Sequence, residues 1–322
     1  MNIINAGGWY VGNSAILDWM DGFDDLAFIR GDFNISRVEN GIMDILSEPC
    51  PHKKIEMIRI QKNACFKGFY FTTRSFIGRY TKFLLKPNSS PTNDHDRNLR
   101  FYINLYNYLS IHEKKMTSCE EFDEIKLWSD WLAKLAPKSS DHKKFKHTVY
   151  QNPFFYNEIF DAHKDVWPKL FSPYKLIFIH RDPLDQFSDI VNDKAHTLVS
   201  WPRFHGGTET MHPADRFLTI AKKIYNARLK MAKNYKKDEL VIFSFESFLQ
   251  EHERVTKKLK TFLGVKTQKD SFNKRFILKN SLKNIGTGKF NEEAAILLKG
   301  KEYVMEELYD LREQLINHNN AI

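Results

Sequence analysis

Apolar residues along the chain gather in short strand-like runs separated by longer stretches with a helical period. The runs are 2–6 (Asn-Ile-Ile-Asn-Ala), 25–29 (Asp-Leu-Ala-Phe-Ile), 147–151 (His-Thr-Val-Tyr-Gln), 174–180 (Tyr-Lys-Leu-Ile-Phe-Ile-His) and 239–245 (Glu-Leu-Val-Ile-Phe-Ser-Phe). Runs without polar alternation suit strands buried on both faces of a parallel sheet. Between them, Ile16, Leu17 and Met20 share one helical face, and further helices are predicted at 41–46, 213–234, 246–262 and near 291–317. Pro183 falls in the first turn of another helix, and Gly264 supplies a stop after Phe262-Leu263. Strands alternating with helices predict an α/β fold with a central parallel sheet flanked by helices.

From Leu85 to His147 the pattern changes. Lys86-Pro-Asn-Ser-Ser-Pro-Thr-Asn is a loop by its turn residues, amphipathic helices follow near 97–116 and 119–136, and 137–147 is rich in Lys, Ser and His. The reading is one domain over 1–322 carrying 85–147 as a helical insertion or lid. Its aromatics Tyr102, Tyr106, Tyr108, Trp128 and Trp131 either form its core or cover an acceptor groove.

A length of 322 residues, with 42% hydrophobic and 28% charged, fits a globular protein. No stretch approaches the roughly 18 apolar residues of a membrane helix, and the N-terminus lacks a basic, then apolar, leader. Cys50, Cys65 and Cys119 form no CxxC pair, which suits reduced thiols and a cytoplasmic setting. The net charge of +9 favours an anionic partner: a nucleotide, an acidic glycan, nucleic acid or a membrane surface. The lysines are scattered and no nucleic-acid motif is present, so nucleic acid is not the expected partner. No HxH or HExxH set points to a metal, and His205 and His212 around a Gly-Gly pair do not make a zinc pattern. The oligomeric state is left open.

Three segments carry chemistry. Gly7-Gly8-Trp9-Tyr10-Val11-Gly12-Asn13-Ser14 places a GxxxxGxS loop between a strand and a helix, so that backbone N–H groups from Gly8 to Ala15 face an anion. A nucleotide triphosphatase would have Lys where Asn13 stands, which disfavours ATP or GTP hydrolysis; a turn made for packing is the plain alternative. The run ending His180-Arg181-Asp182-Pro183 delivers Arg181 to the sheet's carboxyl edge, with Ser188 along the next helix. A structural Arg–Asp helix cap is its alternative. Asn280-Ser281-Leu282-Lys283-Asn284-Ile285-Gly286-Thr287-Gly288-Lys289 is a loop of small donors, glycines and lysines suited to wrapping an anion, or an ordinary surface loop.

In their order and spacing these segments resemble the sulfotransferase family, closest to its bacterial and carbohydrate-type members. The likeness spans roughly 1–45 and 147–295. It implies a P-loop NTPase-like three-layer sandwich and the donor 3′-phosphoadenosine 5′-phosphosulfate (PAPS), leaving adenosine 3′,5′-bisphosphate. Gly8, Tyr10, Val11, Gly12, Asn13, Ser14 and Ala15 resemble the 5′-phosphosulfate loop. Arg181 and Ser188 resemble the 3′-phosphate motif. Ser281, Lys283, Asn284, Gly286 and Lys289 resemble the C-terminal donor loop. Phe217 to Arg228 is similar to the helix after the 3′-phosphate motif, and Val241 to Phe248 with Phe262-Leu-Gly-Val to the family's later strand and helix.

Two departures stand out. The cation common in the 5′ loop is replaced by Val11, with Asn13 beside it, so Arg30 and Lys289 become candidates to neutralise the leaving group. The family's Ser lies eight residues after the Arg; Ser188 lies seven after Arg181, and Asp189 holds the eighth place. Sulfuryl transfer resembles phosphoryl transfer, with a loose transition state and charge building on the leaving phosphate. Asp32, in Arg30-Gly31-Asp32-Phe33, is the favoured base, with His180 and His205 behind it. Gln151, Asn152, Arg203 and His205 are candidate contacts to the acceptor, a hydroxyl on a glycan-like molecule. The rival readings are a P-loop-type nucleotide kinase and a nucleotide-binding relative without catalysis.

Overall fold

The computed structural model describes residues 1–6, 11–29, 40–65, 93–118, 120–135, 145–151, 163–193, 211–266, 276–318 and 321–322, with backbone only at 29, 93–102, 134–135 and 151. Five parallel strands form one sheet: β1 (Asn2–Asn5), β2 (Leu26–Ile29), β3 (His147–Gln151), β4 (Tyr174–His180) and β5 (Leu240–Ser244), in the order β2-β3-β1-β4-β5. Every apolar run of the sequence is a strand. Ile3 lies opposite Val149 and Lys175, and Ile179 opposite Phe243. The strand order reverses around β1, and in such sheets ligands gather beyond the carboxyl ends of the strands near the reversal.

The pleat sends alternate residues to opposite faces. Ile3, Val149, Ile177, Ile179, Val241 and Phe243 form one buried cluster with three helices: α1 (Asn13–Met20), α9 (Phe245–Gln250) and α10 (His252–Leu263). Trp19, Phe23 and Phe248 lock together there by edge-on ring contacts at 5.0 and 6.0 Å. On the other face, Arg228 of α8 (Pro213–Asn234) lies over Phe178 and reaches the sheet backbone. The architecture is a three-layer α/β sandwich.

The remaining helices are α2 (Ile42–Ser47), α3 (51–65), α4 (Asn93–Thr117), α5 (Glu124–Leu135), α6 (Trp167–Phe171), α7 (Pro183–Asn192), α11 (Leu278–Leu282), α12 (Glu292–Leu298) and α13 (Glu302–Ile316). Two helices expected as single rods are broken. The 246–262 stretch divides into α9 and α10 at Glu251 (φ −110°, ψ 37°), and the 291–317 stretch divides into α12 and α13 across Gly300 (φ 72°). Helix α3 was not anticipated. Gly264 ends α10 in the left-handed conformation the sequence suggests.

The chain groups into two compact units. Met1–Phe33, Lys138–Ala162 and Ser172–Ile322 hold the sheet; the described residues of Asn34–Pro137 with His163–Phe171 hold α2 to α6. In the helical unit Tyr108, Trp128 and Trp131 are core, whereas Tyr106 is exposed, with the Lys62 ammonium 5.1 Å above its ring. The side chain of Tyr102 lies outside the described residues. A buried polar node supports this unit: the Trp128 indole donates to His112 Nδ1 (3.1 Å), and Lys54 donates to both oxygens of Glu124 (3.0 and 2.8 Å). Burial pushes the Glu124 carboxyl up, but hydrogen bonds from His112 and Lys54 outweigh it and hold it below its ordinary value. Among the described residues no helix is long and apolar enough to cross a membrane.

Candidate functional site

Val11 and Gly12 stand at the start of α1, Gly12 being the residue before its first turn. Gly12 has φ +86°, and a Cβ there would sit 2.1 Å from Cδ2 of Phe245. Glycine is therefore required twice, by conformation and by contact. Helix α1 starts on Gly12 with no side-chain cap, Ala15 N–H donating to the Gly12 carbonyl at 3.1 Å. Asn13 is buried and Ser14 exposed. Phe245 opens α9 directly after β5, where Ser244 accepts from the Ser247 N–H. The Arg181 guanidinium lies 5.2 Å from the centre of the same Phe245 ring. The chain beyond β1, β4 and β5 thus meets on one aromatic side chain at the sheet's carboxyl edge.

Arg181 is buried. Its Nη1 donates to the Asp189 carboxylate and its Nη2 to the carbonyl of Asn284 at 2.6 Å. The loop carrying Asn284 is laid along α7. Gly286 and Gly288 both donate their N–H to the Asp185 carboxylate (2.7 and 2.8 Å). A Cβ on Gly288 would stand 2.6–2.7 Å from Leu184 Cγ and backbone atoms, so only glycine lets the loop lie this close. Ser188 is fully buried and its hydroxyl accepts from Asn291 Nδ2 at 2.8 Å. Lys283 and Lys289 are exposed on the same loop. Arg181, Asn284 and Gly286 therefore lie along α7 with Ser188, but their polar groups are taken up within the protein: Arg181 by Asp189 and Asn284, Ser188 by Asn291 and Gly286 by Asp185.

Asp182 caps α7 by accepting from the Leu184 and Asp185 N–H groups, and Tyr309 donates to it at 3.1 Å. Its own N–H donates to Glu246, which also receives Arg312 at 2.7 Å. His180 is buried beside them. Burial, then the charges of Arg312 and Arg228, push its pKa down to about 3, so it is a neutral imidazole at ordinary pH and a poor proton acceptor. Arg228 donates to the carbonyls of Ile179 (2.8 Å) and Ala6 (3.2 Å), stitching the ends of β4 and β1. Burial lowers its pKa to about 10, which leaves it cationic.

Gly8, Tyr10, Arg30, Asp32, Asn152, Arg203 and His205 lie outside the described residues, as does the side chain of Gln151. Sequence reasoning gave no role to Phe245, Asp185 or Asn291. Phe245 reads as the end of a strand, and Asp185 and Asn291 act on partners 101 to 103 residues away in the chain. Asp189 carried a signal: it holds the place where the resembling family has Ser. Among the described residues no group of three or more His, Cys, Asp or Glu could hold a metal ion.

No protein-family model matches the chain, and no curated protein matches it. Among solved structures, a sulfotransferase domain from the curacin biosynthetic pathway is similar, at 12% identity and a TM-score of 0.49, over 86% of this chain and 77% of that one. A likeness of that size leaves the functional reading to the chain's own residues.

Proposed function

We propose that the chain is a cytoplasmic sulfotransferase, a single domain with 85–147 as its insertion, that passes a sulfuryl group from a nucleotide phosphosulfate to a hydroxyl on a carbohydrate. The donor implied by the resemblance is PAPS. What supports the reading is the meeting of Gly12, Arg181 and Asn284, one from each of the three segments, around Phe245 and Arg181. The amino end of α1, with no side-chain cap, suits the phosphosulfate end of such a donor. The other end fits less well: Arg181 is engaged by Asp189 and Asn284, and Ser188 lies beneath Asn291.

In this reading Asp32 takes the acceptor's proton and Arg30 or Lys289 neutralises the leaving phosphate. Gln151, Asn152, Arg203 and His205 hold the acceptor. Burial leaves His180 to position the strand end rather than to move a proton. The test is transfer of label from a ³⁵S-phosphosulfate donor to a panel of glycans, with Asp32→Asn abolishing transfer. Thermal shift supplies the second arm: stabilisation by adenosine nucleotides without Mg²⁺ supports the reading, and stabilisation by ATP–Mg²⁺ alone would transfer it to the kinase class. A nucleotide-binding relative without catalysis is the second reading, favoured by Val11 and Asn13 where a cation is expected. It predicts tight nucleotide binding with no transfer to any acceptor.

A further inference from the structure

Arg181, with Ser188, is where the resemblance places the donor's 3′-phosphate, and the surroundings of Arg181 point elsewhere. Its side chain is 3% exposed, with one terminal nitrogen on the Asp189 carboxylate and the other on the Asn284 carbonyl. Asp189 is 31% exposed in its side chain, so a carboxylate stands at the solvent side of the guanidinium. A phosphate arriving from that side meets a like charge before it meets the cation. The donors a phosphate could recruit next are also withdrawn, one by burial and two by a partner. Ser188 is fully buried with its hydroxyl accepting from Asn291, and the N–H groups of Gly286 and Gly288 end on Asp185.

From these contacts we infer that the site does not read a 3′-phosphate through Arg181. It takes a nucleotide with a free 3′-hydroxyl, the adenosine 5′-phosphosulfate class, whose leaving group is adenosine 5′-monophosphate. Arg181 then serves as an internal clamp that ties α7 to the 284–291 loop, and Asp189 sets the selectivity by occupying the place of the second anion. The inference rests on the nucleotide-donor reading above and narrows it. It reverses the donor that the resemblance implies.

Calorimetric titration of the full chain with adenosine 5′-monophosphate and with adenosine 3′,5′-bisphosphate tests it. The wild type is expected to bind the two within about threefold of each other. Asp189→Ser removes the carboxylate from Arg181 Nη1 and leaves Nη2 on Asn284; the bisphosphate should then gain about tenfold while the monophosphate is unchanged. Adding Arg181→Gln should erase that gain. Should Asp189→Ser fold poorly, Asp189→Asn keeps the shape without the charge and should move the preference in the same direction.

A wild-type preference of about tenfold or more for the bisphosphate overturns the inference and restores the 3′-phosphorylated donor. It does so whether the preference falls with Arg181→Gln or survives it through Lys283 and Lys289. An unchanged preference in both Asp189 variants overturns it too, since Asp189 would then not be the selector. Failure of the wild type to bind either nucleotide overturns the inference together with the nucleotide-donor reading, an outcome distinct from the other two.

Discussion

Two glycine-rich segments frame the carboxyl edge of the sheet, and from composition both are anion wraps. They have taken different partners. At Gly12 the chain turns into α1 with no side-chain cap, pressed against the ring of Phe245. From Asn284 to Asn291 the loop is closed on its own protein: Asp185 receives two N–H groups, Arg181 takes a carbonyl, and Gly288 rests on Leu184. Glycines and small donors show that a backbone can approach something closely. They do not show whether that something is a ligand or a helix.

The sharpest way to break the Gly12 side is Gly12→Ala. The new Cβ combines strain at positive φ with overlap against a buried ring, and unfolding by urea should show a loss of about 4 kcal/mol. Gly288→Ala attacks the other side, where the obstacle is backbone that cannot rotate away. A loss of about 2–3 kcal/mol is expected, read by the same denaturation.

A pH series separates the edge itself from both loops. The pKa of His180 falls from its ordinary 6.5 to about 3 in the fold, so the unfolded chain takes up the proton first. Stability from this group is full above pH 6.5 and drains as pH falls toward 3, at about 1.4 kcal/mol per pH unit. The margin of the wild type over His180→Gln should therefore shrink by about 2 kcal/mol between pH 7 and pH 5. A margin independent of pH would mean that His180 keeps its ordinary pKa in the fold.

Asp185→Asn is the mildest probe. It keeps the shape but weakens the two bonds to Gly286 and Gly288, with an expected cost of about 1–2 kcal/mol. Trypsin should then cut faster at Lys283 or Lys289 while α1 keeps its protection from hydrogen exchange. Equal loosening at Gly12 would erase the contrast between the two segments.

The strands were legible because each carries a short apolar centre between turn residues and helical stretches; β4, the most apolar, matches its expected bounds at both ends. The 213–234 helix was equally clear, opened by Pro213 and amphipathic throughout. Gly300, in Lys299-Gly300-Lys301, marks the break before α13 in plain letters. The break at Glu251 has no such letter, since an acidic residue in an amphipathic stretch continues the helical pattern. At the candidate site, the places of Gly12 before α1 and of Arg181 after β4 follow from local motif alone. Their partners were not, because the contacts of Asp185 with Gly286 and of Asn291 with Ser188 join segments that only the finished fold makes neighbours.

Arg228 has one more consequence. Its guanidinium is fixed beneath the ends of β4 and β1 by two carbonyls, and with a pKa of about 10 it never titrates in the range where the protein works. The sheet's mouth therefore holds a standing positive bias, wired in from below, that no substrate has to induce and no neutral buffer can switch off.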